Sequence, residues 1–211
     1  SLKVWAELGF SFDVVSTGMI LSAEQAALVS DFCEQSAKKG ALVFVDPIMG
    51  DEGKLYNGVG EETIAHMRKM VAVADCIVPN YTEAAYLADM PYHEDMTEEE
   101  ARALTIRLHE MGAKSVVVTS AKVDGENCVV GYDGTEGEFF RIPFDLIPVR
   151  FVGTGDIFAA VMLGRLVDGV PLQESTHRAM DAVRTMIDRN RDKEDKYLGI
   201  PIETCLEVLD E

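Results

Sequence analysis

The stretch "SAEQAALVSDFCEQSAKKGALVFVDP" (residues 22–47) changes its hydrophobic pattern once, and this change decides the fold class. Residues 22–40 have the pattern of a helix, and Ser22 with Gln25 makes a capping box at its start. Residues 41–47 are rich in β-branched and aromatic side chains and end at a proline, as a buried strand does. The stretch therefore predicts a helix followed directly by a strand.

The same alternation continues along the chain. Further strands are predicted at residues 12–20, 75–80 and 115–120, and an antiparallel hairpin at residues 127–143. Helices are predicted at residues 61–74, 80–89, 97–111, 153–168 and 172–189. Strands separated by such helices are typical of βαβ units, so we expect an α/β fold whose mostly parallel sheet is covered on both faces. No repeat or linker interrupts the sequence, and we expect residues 1–211 to form a single domain.

The composition is acidic, with 37 Asp and Glu against 19 Lys and Arg and a net charge of −18. Such a surface repels nucleic acid and anionic membranes, so we expect neither as a partner. No apolar run approaches the ~20 residues that a membrane helix needs, and no export signal is visible. The four cysteines lie far apart without a C-x-x-C pair, which favours reduced, buried thiols and a cytoplasmic location. An anionic ligand would need backbone N–H groups or a metal ion rather than basic side chains.

Ligands of open α/β sheets bind at the carboxyl ends of the strands, which directs attention to "GTGD" (residues 153–156) at the start of a predicted helix. A helix N-terminus binds phosphate oxygens through its N–H groups, and the glycines let the backbone come close. Asp156 is then placed to accept a proton from a substrate hydroxyl. The alternative is structural: Thr154 caps the helix and Asp156 complements its dipole. The motif is neither a Walker A loop nor G-x-G-x-x-G.

A second candidate segment is "VDPIMGDEGKLYNG" (residues 45–58). Asp46 follows a predicted strand, and Gly50 permits a tight turn that presents Asp51. Two carboxylates at a strand end suit a cation beside nucleotide phosphates, and Lys54 and Tyr56 are placed to reach over a nucleotide. An ordinary polar turn explains the same residues equally well.

Two further segments follow predicted strands. In "VPNYTEAAYL" (residues 78–87), Asn80 and Glu83 have the spacing of a capping box, which needs no ligand, although Glu83 with Asp51 would also complete a magnesium site. In "VVVTSA" (residues 116–121), the hydroxyls of Thr119 and Ser120 are suited to phosphates or a monovalent cation. Each of these signals is weak alone.

Taken in order, "DPIMGDEGKLY", "VPNYTEA", "VVVTSA" and "FVGTGDIFAAVMLG" resemble the ribokinase-like superfamily, and most closely the pyridoxal kinases. The resemblance runs from about residue 10 to residue 190 and includes "GFSFDVVSTGMI". It implies a three-layer α/β/α sandwich, ATP as phosphoryl donor, and as acceptor the hydroxymethyl group of pyridoxal, pyridoxamine or pyridoxine. It also implies a homodimer.

Carried over position by position, the resemblance implies a role for each candidate residue. Asp156 resembles the catalytic base, and Asp51 and Glu83 resemble the carboxylates that organise Mg²⁺. The anion hole corresponds to Gly153, Thr154 and Gly155. The ATP-binding positions correspond to Asp46, Asn80, Thr119, Ser120, Tyr56, Val149 and Phe151, with Asp46 and Thr119 also near a monovalent cation such as K⁺.

The resemblance has one departure and leaves alternatives. Pyridoxal kinases usually begin with a strand and a Ser-containing loop that contact the pyridine ring, and we expect this N-terminal part to be missing here. Hydroxymethylpyrimidine kinases share the fold but typically carry cysteine at the position of Asp156. A sugar kinase would bring a β-sheet lid early in the chain, which is not visible. A protein that binds nucleotide or vitamer without catalysis remains open.

Overall fold

The computed structural model describes residues 2–209, and the chain divides into two compact units. The first unit extends to Phe144 and the second begins at Asp145. The single domain expected over residues 1–211 stays a prediction. Each unit is described below by itself.

The first unit is built on a six-stranded sheet and a separate two-stranded hairpin. The strands are β1 (Val14–Thr17), β2 (Leu42–Val45), β3 (Gly50–Asp51), β4 (Lys54–Leu55), β5 (Cys76–Ile77), β6 (Ser115–Val123), β7 (Glu126–Asp133) and β8 (Glu138–Pro143). The sheet order is β1-β2-β5-β6-β7-β8, with parallel pairing from β1 to β6 and antiparallel pairing from β6 to β8. The predicted α/β fold with a mostly parallel sheet is confirmed.

Five helices belong to the first unit and two to the second. They are α1 (Leu2–Glu7), α2 (Ala23–Ala37), α3 (Glu61–Val71), α4 (Tyr81–Ala88), α5 (Glu98–Glu110), α6 (Thr154–Val167) and α7 (Leu172–Asn190). Two short 3₁₀ turns, Ile202–Thr204 and Leu206–Leu209, follow α7. Every predicted helix is present, whereas α1 was not predicted. None of these helices, within residues 2–209, has both the length and the apolar character to cross a membrane.

Local sequence signals set several of the helix starts. The Ser22 side chain accepts from the Gln25 N–H, but the Gln25 side chain accepts from the N–H of Leu21 rather than that of Ser22. Complete capping boxes begin α4, at Asn80 and Glu83, and α5, at Thr97 and Glu100. The capping prediction for Asn80 and Glu83 is therefore confirmed.

The strand predicted at residues 115–120 is longer than expected. It continues to Val123 through a bulge between Val118 and Ala121, and it then turns at Asp124 and Gly125, whose φ angles are 50° and 84°. Two consecutive positive φ angles are the geometry of a type I′ turn, which joins β6 directly to β7. The predicted hairpin at residues 127–143 is confirmed as β7 and β8, and it extends this antiparallel part of the sheet.

Each unit has its own apolar core. In the first, Val43, Phe44 and Val45 are consecutive and fully buried, so β2 is covered on both faces. The second unit packs α6 and α7 on the chain before α6 and on the C-terminal turns. The buried side chains of this cluster are Phe151, Ile157, Ala182, Met186, Ile200, Cys205 and Val208. All four cysteines are buried and form no disulfide, as predicted.

Candidate active site

Glu83, on the first turn of α4, is the buried centre of the candidate site in the first unit. Its side chain is 3% exposed, and Oε1 accepts from the N–H groups of Met49 at 2.9 Å and Gly50 at 3.4 Å. Oε2 accepts from the N–H of Asn80 at 2.9 Å. Burial raises the pKa of Glu83 to about 7, although the N–H donors oppose this rise, and the charge of Asp46 adds to it. One carboxylate therefore holds both the start of α4 and the loop after β2.

Asn80 joins the same loop to the bulge in the middle of β6. Its Oδ1 accepts from the Glu83 N–H at 3.0 Å, while its Nδ2 donates to the carbonyl of Gly50 at 2.8 Å. The backbone of Asn80 also forms an isolated parallel bridge with Thr119, whose N–H donates to the Pro79 carbonyl at 3.0 Å. The structure thus brings Asn80, Glu83 and Thr119 together.

The hairpin of β3 and β4 presents Asp51. Its turn consists of Glu52 and Gly53, with φ angles of 52° and 76°, again a type I′ turn. A Cβ on Gly50 would lie 2.4 Å from the Lys54 carbonyl oxygen, so only glycine fits at that position. Asp51 is half-buried and pairs in register with Lys54. The predicted tight turn is present. Glu83 and Asn80 both bind Gly50, the first residue of the hairpin.

The remaining predicted residues of this unit lie after β2, after β4 and in the bulge of β6. Asp46 follows β2 and donates its N–H to the Thr17 carbonyl at 3.1 Å, while the Tyr56 N–H donates to Met49 O at 2.9 Å. Tyr56 is 44% exposed. Ser120 is exposed in the bulge of β6 with φ +55°, a conformation that is uncommon outside glycine. The predicted roles of these residues in ATP binding stay predictions.

In the second unit, α6 begins without a side-chain cap. Gly153 occupies the N-cap position at φ +84°, and Thr154 is the first helical residue. Gly153 rather than Thr154 therefore occupies the N-cap position, and the alternative in which Thr154 caps the helix is wrong. Gly155 and Asp156 are exposed on the first turn, and Oδ2 of Asp156 lies 3.7 Å from where a Cβ of Gly153 would be. First-turn N–H groups without a side-chain acceptor suit an anionic ligand.

The other two predicted residues of this unit behave as packing residues. Phe151 is 3% exposed in the core of the second unit, and Val149 is half-buried against the same core. Their predicted contacts with a nucleotide stay predictions.

The donor set suits magnesium better than a metal that needs a closed cage. Within residues 2–209 there is no group of three or more His, Cys, Asp and Glu side chains that could hold a metal ion. Magnesium is usually held by one or two carboxylates together with substrate phosphates and water, so Asp51 at the exposed hairpin fits. Both oxygens of Glu83 already accept backbone N–H groups, which makes this residue a support for the hairpin as well as a candidate ligand.

Two residues that contact the hairpin were not predicted from the sequence. Thr82 Oγ1 accepts from the Gly53 N–H at 2.8 Å, and the ring of Tyr92 packs on Gly53. The sequence does offer a signal for Thr82, because its hydroxyl lies in the first turn of a predicted helix. Nothing local points to Tyr92, which lies 39 residues after Gly53 in the chain.

Known proteins of similar sequence are kinases. The sequence profile of the phosphomethylpyrimidine kinase family matches residues 6–199. The pyridoxal kinase of Arabidopsis thaliana is 32% identical over 171 residues, which cover 77% of this chain and 53% of the plant protein. The chain therefore spans about half the length of the curated relatives it matches.

Solved structures give the same assignment. A Bacteroides thetaiotaomicron protein, provisionally assigned as a phosphomethylpyrimidine kinase and crystallised with pyridoxal, matches with a TM-score of 0.92 at 32% identity, over 100% of this chain and 75% of that one. The pyridoxal kinase of Lactobacillus plantarum matches with a TM-score of 0.85 at 27% identity, over 99% of this chain and 75% of the other. The chain therefore belongs to the phosphomethylpyrimidine kinase family, and the relatives that it resembles include pyridoxal kinases.

Proposed function

We propose that this protein is an ATP-dependent kinase that phosphorylates the 5′-hydroxymethyl group of pyridoxal, pyridoxamine or pyridoxine, a reaction of vitamin B6 salvage. Two similarities support the proposal: relatives about 32% identical are pyridoxal kinases, and a 32% identical protein has been crystallised with pyridoxal. The observation that carries the chemistry is the start of α6, where no side chain caps the first turn and Asp156 stands exposed beside Gly153.

In this proposal Asp156 is the general base. It accepts the proton of the substrate hydroxyl while that oxygen attacks the γ-phosphorus of ATP, and the bond from phosphorus to the β,γ-bridging oxygen breaks to release ADP. The N–H groups of residues 153–155 donate to the transferring phosphoryl oxygens. An acidic protein thereby binds a polyphosphate without a basic surface.

The first unit supplies the groups for the nucleotide and its cations. Asp51 and Glu83 would hold Mg²⁺, which neutralises phosphate charge and orients the phosphoryl group. Asp46 and Thr119 are proposed beside a monovalent cation such as K⁺. Polar and apolar contacts to ATP are proposed from Asn80, Thr119, Ser120, Tyr56, Val149 and Phe151.

Replacing the base tests this mechanism. Asp156→Asn should lower kcat by about 10²-fold or more, the range that a positioned base contributes, while the urea unfolding midpoint stays close to that of the wild type. Turnover is measured as ADP release with pyridoxal. Asp168→Asn is the matched control, because Asp168 is an exposed carboxylate at the other end of α6. Undiminished turnover in Asp156→Asn would contradict the assigned base.

The family profile favours a second candidate, since it is named for phosphomethylpyrimidine kinase. A panel of pyridoxal, pyridoxamine, pyridoxine and hydroxymethylpyrimidine separates the two activities by their kcat/KM values. The third candidate, a binding protein without catalysis, predicts heat on mixing with ATP or pyridoxal in calorimetry but no ADP release.

We also propose a homodimer in a reducing, ATP-containing compartment such as the cytoplasm. The four free, buried thiols support the compartment. Light scattering coupled to gel filtration tests the dimer, and a mass of 23.2 kDa would contradict it.

A further inference from the structure

The hairpin that presents Asp51 is too small to be stable alone. Each of its strands has two residues, and isolated two-stranded hairpins are marginal in water even when longer. Contacts from other segments must therefore fix the position of the hairpin backbone, while the Asp51 carboxylate accepts from the N–H of Glu52 at 2.9 Å. Three come from the start of α4: Glu83 and Asn80 bind Gly50, and Thr82 binds Gly53.

A fourth contact comes from a different segment, the connection between α4 and α5 (residues 89–97). Tyr92 in this connection lies on the turn of the hairpin, and its Cε1 and Cδ1 atoms are 3.0 and 3.1 Å from where a Cβ of Gly53 would be. Only a glycine allows the ring to approach the backbone this closely. Burial raises the pKa of Tyr92, and the charges of Asp51, Glu94 and Glu52 raise it further.

Tyr92 is itself held in place. Its ring stacks on the ring of Tyr81, the first residue of α4, with centroids 4.7 Å apart and an angle of 26° between planes. The Tyr81 hydroxyl accepts from the His93 N–H at 3.0 Å, which fixes the residue after Tyr92. Tyr81 is 4% exposed, so Tyr92 stacks on a ring that is itself buried.

Both ends of the connection are also anchored. The Met90 N–H donates to the carbonyl of Ala85 at 3.0 Å, and the Met96 N–H donates to the carbonyl of Lys122 at 2.9 Å. Met96 is buried and bridges to Val123 at the end of β6. The connection therefore cannot move away from the hairpin without breaking contacts with α4 and β6.

We propose that Tyr92 is a positioning residue: its ring, seated on Tyr81, clamps the Gly53 turn and so fixes the Asp51 carboxylate for the magnesium-bound nucleotide. This inference rests on the proposed function, because it takes Asp51 to act on that nucleotide. The ring makes the contact with Gly53, and the hydroxyl is not required for it. Tyr92 remains 41% exposed, so loss of its ring should change the free energy of unfolding little. Its main effect should be on the position of the Gly53 turn.

The test uses Tyr92→Ala, which removes the ring, and Tyr92→Phe, which keeps it. In Tyr92→Ala we expect the KM for ATP at fixed Mg²⁺ to rise about tenfold with kcat within about twofold, since a displaced carboxylate weakens nucleotide binding. Tyr92→Phe should keep the wild-type KM for ATP. Amide exchange at residues 50–55, followed by mass spectrometry without nucleotide, should quicken by about tenfold in Tyr92→Ala alone.

A double-mutant cycle with Asp51→Asn asks whether Tyr92 acts through Asp51. If it does, Tyr92→Ala should add no further rise in KM in the Asp51→Asn background. Phe10→Ala is the matched control, because Phe10 is a 53% exposed aromatic side chain stacked on another ring, Phe12. It should change neither the KM nor the exchange of residues 50–55.

The outcomes separate this inference from the proposed function. Unchanged exchange at residues 50–55 in Tyr92→Ala would overturn the clamp, whatever the kinetics. Faster exchange with an unchanged KM, or additive effects in the cycle, would overturn the positioning role. A wild-type protein without turnover on any substrate of the panel would instead overturn the proposed function, and the exchange experiment would still decide whether Tyr92 holds the turn.

Discussion

At Glu83, a single side chain combines a helix cap with a contact between distant segments. Its two oxygens accept from the backbone of Asn80, three residues before it, and from Met49 and Gly50, more than thirty residues before it. A buried carboxylate is costly unless it is hydrogen-bonded, and these three donors offset part of that cost. The same residue therefore stabilises the fold and, in the proposed kinase, faces the nucleotide.

Glu83→Gln should show the structural part of this role. An amide offers only one accepting oxygen, so at least one buried N–H loses its partner, and we expect the free energy of unfolding to fall by about 1–3 kcal/mol. The change is measured as the shift of the urea midpoint, followed by circular dichroism. Glu62→Gln is the control, because the Glu62 side chain is 83% exposed, and it should stay within about 0.5 kcal/mol. Equal midpoints for the two variants would contradict the role given to Glu83.

Whether a contact could be predicted from the sequence depended on how far apart its two residues lie along the chain. The Asn80 and Glu83 box was predicted because both partners lie within one helical turn. The hydrogen bonds between Glu83 and the N–H groups of Met49 and Gly50 were not predicted, because nothing in either segment specifies the distance between the two segments. Tyr92 was missed for the same reason: its partner Gly53 is remote in sequence, and an aromatic residue in a connection carries no local signal.

At the scale of elements, α6 offers a comparison within one helix. Gly155 lies on the exposed first turn and Gly164 in the last part of the helix, and a Cβ at either would meet no atom within 4 Å. Neither glycine has a positive φ. Space and backbone angle therefore require glycine at neither position, and the anion hole proposed at α6 involves only Gly155.

Gly155→Ala and Gly164→Ala separate these reasons. Alanine in a helix is favoured over glycine by about 0.5–1 kcal/mol, so neither variant should be less stable than the wild type in urea. In Gly155→Ala the new methyl group stands where phosphoryl oxygens would approach the first-turn amides, and we expect kcat/KM to fall about tenfold or more. Gly164→Ala should keep wild-type turnover. Full activity in Gly155→Ala would contradict the anion hole proposed at α6.

The elements differ in how well the sequence predicts them. Helices α2 to α7 were predicted because their apolar periodicity and caps are local. The connection from β6 to β7 was missed, although Asp124-Gly125 is a type I′ signal, because β6 was expected to stop at Ser120. The bulge at Ser120 interrupts the pairing there, and the strand resumes after it.

For the whole molecule, burial of the thiols leads to a chemical prediction. All four cysteines are buried and free, and burial raises the pKa of Cys33 to about 11 from a reference of 9.0. Burial also raises the pKa values of Cys76 and Cys128. A thiol reacts as its thiolate, so at pH 8 the reactive fraction of Cys33 is about 100-fold below that of an ordinary thiol.

The native protein should therefore react only slowly with a thiol reagent such as Ellman's reagent at pH 8. In denaturant all four thiols should react within minutes, because burial no longer protects them. Raising the pH of the native protein through 11 should increase the reaction of Cys33, since the thiolate forms as the pH passes the raised pKa. Rapid reaction of native Cys33 at pH 8 would show that its environment is more open than the structure has it.

The sequence by itself determined the α/β class, the order of the elements from β1 to α7 apart from the β3–β4 hairpin, the capping box at Asn80 and Glu83, and the family resemblance. The class, the order and the capping box follow from periodicity and from contacts within a few residues, which a chain specifies locally, whereas the resemblance rests on the ordered motifs. Only the tertiary structure decided that Glu83 and Asn80 hold the Gly50 loop, that Tyr92 stacks on Tyr81 over the Gly53 turn, and that a glycine rather than Thr154 begins α6. The remote contacts depend on how strands bring distant segments to one edge of the sheet. The cap depends on a backbone angle that the residue types alone leave open.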